Sequence, residues 1–250
     1  MVPKNKKMIV FDLDGTLAPS KAEIDSEMAE LLVELLKKYK VSVVTGGDYE
    51  RFDKQIFQFI GDDENILKNF YACPTCGTKM YVYKDGNWTK LYSEDLTEKE
   101  VEYILNTLNE AIDTLGLRPE KTYGELVENR GTQITYSALG QQAPLEVKSV
   151  FDPDFKKRLK IKEYLDPRLE GFSALVAGTS SIDITREGLD KAYALKKLEK
   201  ESGIAIGDML FIGDALMEGG NDFPVLKTGI DALQTKDPEE TKKMIRGLVK

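Results

Sequence analysis

Histidine is absent from this chain of 250 residues, and cysteine (two) and tryptophan (one) are scarce. Without histidine there is no Ser-His-Asp or Cys-His relay, no histidine-ligated zinc and no imidazole base. Acid–base chemistry falls to Asp, Glu, Lys or Tyr, and a catalytic metal must sit among oxygen ligands. Two cysteines do not make a disulfide scaffold. Long apolar runs are missing as well. After a short basic stretch at 1–7, only 8–11 are continuously apolar, too few for a signal-peptide core. No later segment approaches the length of a membrane span, so the expectation is a cytoplasmic protein with no membrane partner. Concentrated positive charge is also lacking. The net charge is -8 with Lys and Arg scattered, which excludes nucleic acid as a partner because phosphate backbones want a basic stripe. A small anionic substrate would need a local basic pocket inside an acidic protein.

What remains is a patterned α/β sequence of a length that suits one large domain or two modest ones. Residues 8–11 read as a buried strand ending at Asp12, and 24–39 carry apolar residues at helical spacing. A second apolar strand, 41–44, ends at Thr45-Gly46-Gly47, and 49–60 is again helix-like. Strand, helix, strand, helix predicts a parallel sheet with crossover helices. The character then changes. Residues 79–92 read as a hairpin turning at Asp85-Gly86, with Tyr81, Tyr83, Trp88 and Tyr92 expected on one packed face. Residues 97–115 form a helix opened by a capping box, Thr97 with Glu100. Two strands around Arg130-Gly131, a helix from Asp152 to about 164, and strands at 174–177 and 182–185 complete an α+β module. The parallel pattern returns with a helix at 190–201, a strand at 209–212 ending at Gly213-Asp214, and a terminal helix at 237–250. The expected division is a core of 1–92 and 187–250 with an inserted domain at 93–186.

Three apolar strands thus end in Asp12 and Asp14, Thr45, and Asp214. In an open parallel sheet ligands bind at the carboxyl edge, so residues two hundred positions apart would share one crevice. Carboxylates converging there repel one another unless a cation intervenes. Among oxygen ligands that cation is magnesium. The spacing Asp12-Leu13-Asp14-Gly15-Thr16 has its own logic. The first carboxylate can attack a phosphoryl group, and the second can protonate the leaving group and then activate the next nucleophile. Simpler roles exist for other residues: Cys73-Pro74-Thr75-Cys76 as a structural turn, Thr45 as a local cap, Asp222 as a helix cap ahead of Pro224.

In order along the chain, Asp12-Leu13-Asp14-Gly15-Thr16, Thr45, Lys191, and Gly213-Asp214 with Gly219-Gly220-Asn221-Asp222 resemble the four motifs of the haloacid dehalogenase (HAD) superfamily. The resemblance implies a Rossmann-like parallel-sheet core with an inserted α+β cap of the second type, as in subfamily IIB. It implies Asp12 as nucleophile, Asp14 as general acid/base, Thr45 and Lys191 on the transferring phosphate, and Mg2+ held by Asp12, Asp14, Asp214, Asn221 and Asp222. The string ending at Asp222, with Ser181 and Asp183 shortly before Lys191, is similar to the phosphomannomutase branch, whose cap grips a phosphosugar. Arg130, Ser181 and Asp183 keep that pattern, and Gly46 belongs to the same phosphate loop. Lys21, Gln141 and Lys148 stand where the family has arginine. A mutase must hold a bisphosphate in two orientations, and losing bidentate guanidinium forks weakens that grip. Hydrolysis of a hexose phosphate is therefore the favoured expectation. Interconversion of mannose 1-phosphate and mannose 6-phosphate is the alternative, and a non-catalytic sugar-phosphate sensor stands behind both. The inserted module is also a candidate surface for pairing two copies.

Overall fold

The computed structural model describes residues 5–177 and 179–250; the beginning of the basic stretch 1–7 lies outside them. The chain forms two compact units, one reaching to Ser93 and resuming at Leu189–Lys250, the other spanning Glu94–Gly188.

The first unit begins with β1 (Met8–Phe11), α1 (Ser26–Leu36), β2 (Lys40–Val44), α2 (Tyr49–Gln55), α3 (Glu64–Leu67) and β3 (Phe70–Cys73). The hairpin β4 (Lys79–Lys84) and β5 (Asn87–Ser93) follows. The second unit holds α4 (Glu98–Thr114), β6 (Val127–Asn129), β7 (Ile134–Ser137), α5 (Leu145–Phe151), α6 (Lys156–Leu165), β8 (Phe172–Ala177) and β9 (Ser181–Arg186). The chain then returns to the first unit as α7 (Lys191–Ser202), β10 (Met209–Gly213), β11 (Asp231–Gln234) and α8 (Pro238–Val249).

The first unit is built on a seven-stranded sheet in the order β11-β10-β1-β2-β3-β4-β5. Strands β11 to β3 run parallel, and the β4–β5 hairpin closes one edge antiparallel. Alternate residues of the central strands point to opposite faces. Ile9, Phe11, Val41, Val43, Leu210 and Ile212 pack with α1, α2 and α8. Met8, Val10, Val44, Met209 and Phe211 pack with Ala194, Leu195 and Leu198 of α7. Burial on both faces explains why β1 and β10 read as unbroken apolar runs. Among the described residues no helix is long and apolar enough to cross a membrane.

Several elements differ from the sequence expectation. The helix over 49–60 stops at Gln55, because the Gln55 carbonyl accepts from Ile24 N (3.0 Å) instead of continuing the helix. A 3-10 turn, Phe57–Phe59, follows and stacks Phe57 on Trp88 with ring centroids 3.8 Å apart. The hairpin aromatics do not share one face. Tyr81, Tyr83 and Trp88 pack against the α1 side, whereas Tyr92 packs against the α7 side. A bulge between Met80 and Tyr81 shifts the register there and reverses the alternation. In the second unit Asp152 does not begin a helix. α6 starts at Lys156, after Phe155 with φ 61°, and α5 precedes it.

In the second unit, α4 and α6 cover one face of a four-stranded antiparallel sheet, order β6-β7-β9-β8. The capping box at α4 forms as expected: Thr97 Oγ1 accepts from Glu100 N (3.3 Å), and Glu100 Oε2 accepts from Thr97 N (2.7 Å). The same carboxylate receives Arg186 at the end of β9, through Nε (2.8 Å) and Nη2 (2.7 Å). Arg186 also donates to the carbonyls of Glu94 and Asp95 (both 2.8 Å), tying both ends of this unit together. Hydrogen bonds from Arg186 hold the Glu100 carboxyl down at about 2, against 4.5 ordinarily. A lowered folded pKa contributes stability that is full above the unfolded value and lost as pH falls through the folded one. Between about pH 4.5 and 2 the wild-type unit should therefore lose a contribution that Glu100→Gln lacks throughout. Acid titration followed by circular dichroism checks this, the two curves being expected to converge toward pH 2.

Candidate active site

The carboxyl ends of three adjacent parallel strands, β10, β1 and β2, bring the motifs together. Asp12 follows β1 directly, and its amide donates to Ile212 O of β10 (3.0 Å). Its carboxylate is buried, and Oδ1 receives Nζ of Lys191 at 2.5 Å. Lys191 is the first residue of α7, a helix capped by the Asp190 side chain on Tyr193 N (3.1 Å). The same ammonium, itself 1% exposed, also meets Asp222 Oδ1 at 2.5 Å. Asp222 does precede a 3-10 turn, but its side chain does not cap it: Oδ2 accepts from Ala215 N at 3.1 Å.

Asp12, Asp214 and Asp222 each present a carboxylate oxygen within 4.8 Å of the others. Two glycines permit this approach. A methyl group at Gly15, where φ is +84°, would lie 2.4 Å from Asp214 Oδ2. At Gly213 it would lie 2.2 Å from Asp222 Oδ2. Lys191 pairs with Asp12 and Asp222 of these three carboxylates, so among the described residues the cluster carries an excess of negative charge. The electrostatics reflect that excess. Burial pushes the Asp12 carboxyl up, to about 7, against the pull of Lys191, and the Asp222 charge adds to the rise. Burial and Asp222 raise Asp214 as well. Burial works against the Lys191 ammonium, but the charges of Asp12 and Asp222 prevail and hold its pKa above the ordinary lysine range. Asp12 Oδ2 is buried and has no hydrogen-bond partner among the described residues. An orphaned anionic oxygen is costly unless something else occupies it. The all-carboxylate donor set and the excess of negative charge fit a hard divalent cation.

Not every predicted ligand belongs to this cluster. The Asp14 carboxylate, expected on the metal, is engaged elsewhere: Oδ1 accepts from Lys21 N (2.5 Å) and Oδ2 from Arg51 Nη1 (2.9 Å). Asn221 is exposed, outside the buried group. Thr45 directly follows β2 and is 1% exposed, with Oγ1 accepting from Gly47 N (3.1 Å). The Cys73–Cys76 turn buttresses that loop: Cys76 N donates to Thr45 O (2.8 Å) and Thr75 N to Gly47 O (2.7 Å). Burial pushes the Cys73 thiol up to about 12, as suits a packing group. Arg51 escaped the sequence reading, since an arginine early in an amphipathic helix looks like any surface residue.

Gly46 lies in the loop after β2, and the remaining predicted residues lie in the second unit. On the sheet face turned away from α4 and α6, Asp183 Oδ1 accepts from Thr135 Oγ1 (2.7 Å), and Ser181 and Ser137 hydroxyls are 3.0 Å apart. Lys148 is largely buried, which lowers its pKa, and donates to the Gln141 carbonyl (3.1 Å). The Gln141 Nε2 amide is buried with no partner among the described residues. Arg130 is paired with Glu128 at 2.7 Å.

The sequence model of the family described as eukaryotic phosphomannomutase matches residues 28–250. The chain belongs to that family. Phosphomannomutase 1 of Homo sapiens is 30% identical over 232 residues, covering 89% of this chain and 84% of the human protein. Solved structures agree on the fold. An N-terminally truncated Plasmodium falciparum IMP-nucleotidase superimposes with a TM-score of 0.72 at 20% identity, over 98% of this chain and 70% of that one. A haloacid dehalogenase-like hydrolase from Bacteroides thetaiotaomicron gives 0.64 at 16% identity, over 97% and 99%. This member of the phosphomannomutase family is thus a phosphotransferase of HAD type.

Proposed function

We propose that the protein is a mutase that moves a phosphoryl group between positions 1 and 6 of a hexose phosphate, mannose phosphate first among them, through an aspartyl phosphate on Asp12. The observation that supports transfer over hydrolysis is the family match across 28–250. The hydrolytic preference drawn from Lys21, Gln141 and Lys148 gives way to it. Weak anion forks in the cap argue for a loose grip on the sugar, and the Arg130–Glu128 pair points the same way. They do not bear on the buried chemistry.

In this reading Asp12 is the nucleophile. Lys191 fixes Oδ1 and leaves Oδ2, the oxygen without a partner, to form the bond to phosphorus as the bond from phosphorus to the sugar oxygen breaks. Asp14 gives its proton to that leaving oxygen. In the reverse step the Asp14 carboxylate takes the proton from the free hydroxyl of a hexose monophosphate while the phosphoryl group passes from Asp12 to that oxygen; the bisphosphate so formed turns over and returns its other phosphoryl group to Asp12. Asp12, Asp214 and Asp222 would hold magnesium, which when bound neutralises charge on the transferring phosphoryl oxygens. Lys191 and the hydroxyl of Thr45, which accepts from Gly47 N and keeps its own proton to donate, complete the anion site. We assign the inserted unit the part of the cap, with Arg130, Gln141, Lys148, Ser181 and Asp183 as its sugar-facing residues.

Incubation with mannose 1-phosphate, magnesium and a catalytic hexose 1,6-bisphosphate, followed by phosphorus NMR, tests the assignment. Mannose 6-phosphate is the expected product. Inorganic phosphate in its place would make the protein a phosphatase.

A further inference from the structure

Asp14 is held at both oxygens by groups from different segments. The Lys21 amide reaches Oδ1, and the Arg51 guanidinium, 27% exposed, reaches Oδ2. Arg51 lies in the first two turns of α2, and its side chain crosses directly over the Cα of Gly47 to get there. A methyl group at position 47 would sit 2.2 Å from Arg51 Cδ and 2.8 Å from Nε. The φ of Gly47 lies outside the left-handed range, so its backbone conformation does not require glycine. The crossing arginine does. Lys21 itself is held at φ 62°, a left-handed conformation that aims its amide at the carboxylate. These features, none of them needed for the core, converge on one half-buried carboxylate next to the reacting centre.

We propose that Arg51 is a positioning residue for Asp14, fixing with the Lys21 amide the plane of the carboxylate and so the direction in which it exchanges a proton with the sugar oxygens. The inference rests on the mutase assignment and on the part given there to Asp14. Each carboxylate oxygen keeps a second lone pair for the proton it carries. Arg51 acts only through Asp14, so its loss should appear in turnover and not in substrate binding.

The test compares full-length wild type with Arg51→Ala, Arg51→Lys and Gly47→Ala under the mutase assay. The last variant keeps the arginine but fills its path, and it displaces a flexible side chain while leaving the backbone in place. In Arg51→Ala and Gly47→Ala, kcat should fall by about tenfold to a hundredfold, the scale expected of a misdirected catalytic group. KM for the hexose phosphate should stay within about twofold, because binding is not the affected step. Arg51→Lys should recover part of the loss. Low millimolar guanidinium chloride should restore Arg51→Ala several-fold where equal sodium chloride does not. An Arg51→Ala enzyme with wild-type kcat overturns the proposal while the mutase assignment stands. So does a loss that follows a fall in Tm in both variants and is not relieved by guanidinium. Wild type without mutase activity removes the assignment, and the inference with it.

Discussion

Asp12→Asn should lower turnover by about 100,000-fold, the scale on which removal of an enzymic nucleophile acts. The carboxamide keeps the shape of the side chain but cannot attack phosphorus to form an acyl phosphate. Lys191 then faces one carboxylate in close contact in place of two, which it can still satisfy through Asp222 Oδ1 at 2.5 Å. The fold should therefore survive, and a near-wild-type melting temperature alongside lost turnover separates chemistry from folding. Residual activity within tenfold of wild type would mean that another group carries the phosphoryl.

The second large effect is expected at Lys191, in stability as well as rate. Its ammonium is buried between Asp12 and Asp222, which are themselves buried. Lys191→Met keeps the volume of the aliphatic stem and removes the charge, leaving carboxylates facing one another with nothing between them. Breaking a buried ion pair by removing one partner costs about 3–5 kcal/mol. Turnover should fall roughly a hundredfold to a thousandfold, as when one charge-stabilising donor is lost. Urea unfolding with and without magnesium distinguishes the electrostatic cause from a packing defect. A divalent cation bound by the native carboxylates stabilises the folded state by mass action, so millimolar magnesium should recover part of the deficit. A deficit indifferent to magnesium would place the metal elsewhere.

How much of this was legible beforehand varied with what encoded it. Strands β1 and β10 are buried on both faces and flanked by Asp-rich turns, so four or five apolar residues sufficed to read them. Strand β11, Asp231–Gln234, was not read: it lies at the sheet edge, its residues only half-buried or exposed, and the sequence Asp-Ala-Leu-Gln carries no period. Helix α5 is short, and Asp152, which opens no helix, instead binds the amides of Lys157 and Arg158 (2.9 and 3.1 Å) and the Arg158 Nε (2.9 Å). That network depends on where the chain returns in space. In the site, Asp12, Lys191, Asp214 and Asp222 were identifiable because each follows an apolar strand or falls into an ordered motif series. Asp12, Asp214 and Asp222 converge within 4.8 Å, and the parallel register of β1 and β10 is what brings Asp12 and Asp214 to the same sheet edge. Asp14 is expected on the metal from sequence, whereas its carboxylate meets the Lys21 amide and the Arg51 guanidinium, because the spacing of two carboxylates does not say which way the second one turns. Its direction is set by Arg51 and Lys21, contacts from a helix and a loop that no local pattern predicts.

The covalent intermediate is where these expectations meet, and it can be looked at chemically. Enzyme incubated with magnesium and hexose 1,6-bisphosphate, quenched in acid and treated with borohydride, should carry an acyl phosphate reduced to an alcohol. Peptide mass spectrometry should then find homoserine at position 12, dependent on the bisphosphate and missing from Asp12→Asn. An unreduced Asp12 in an enzyme that turns over, or the reduced residue at any other position, would contradict it.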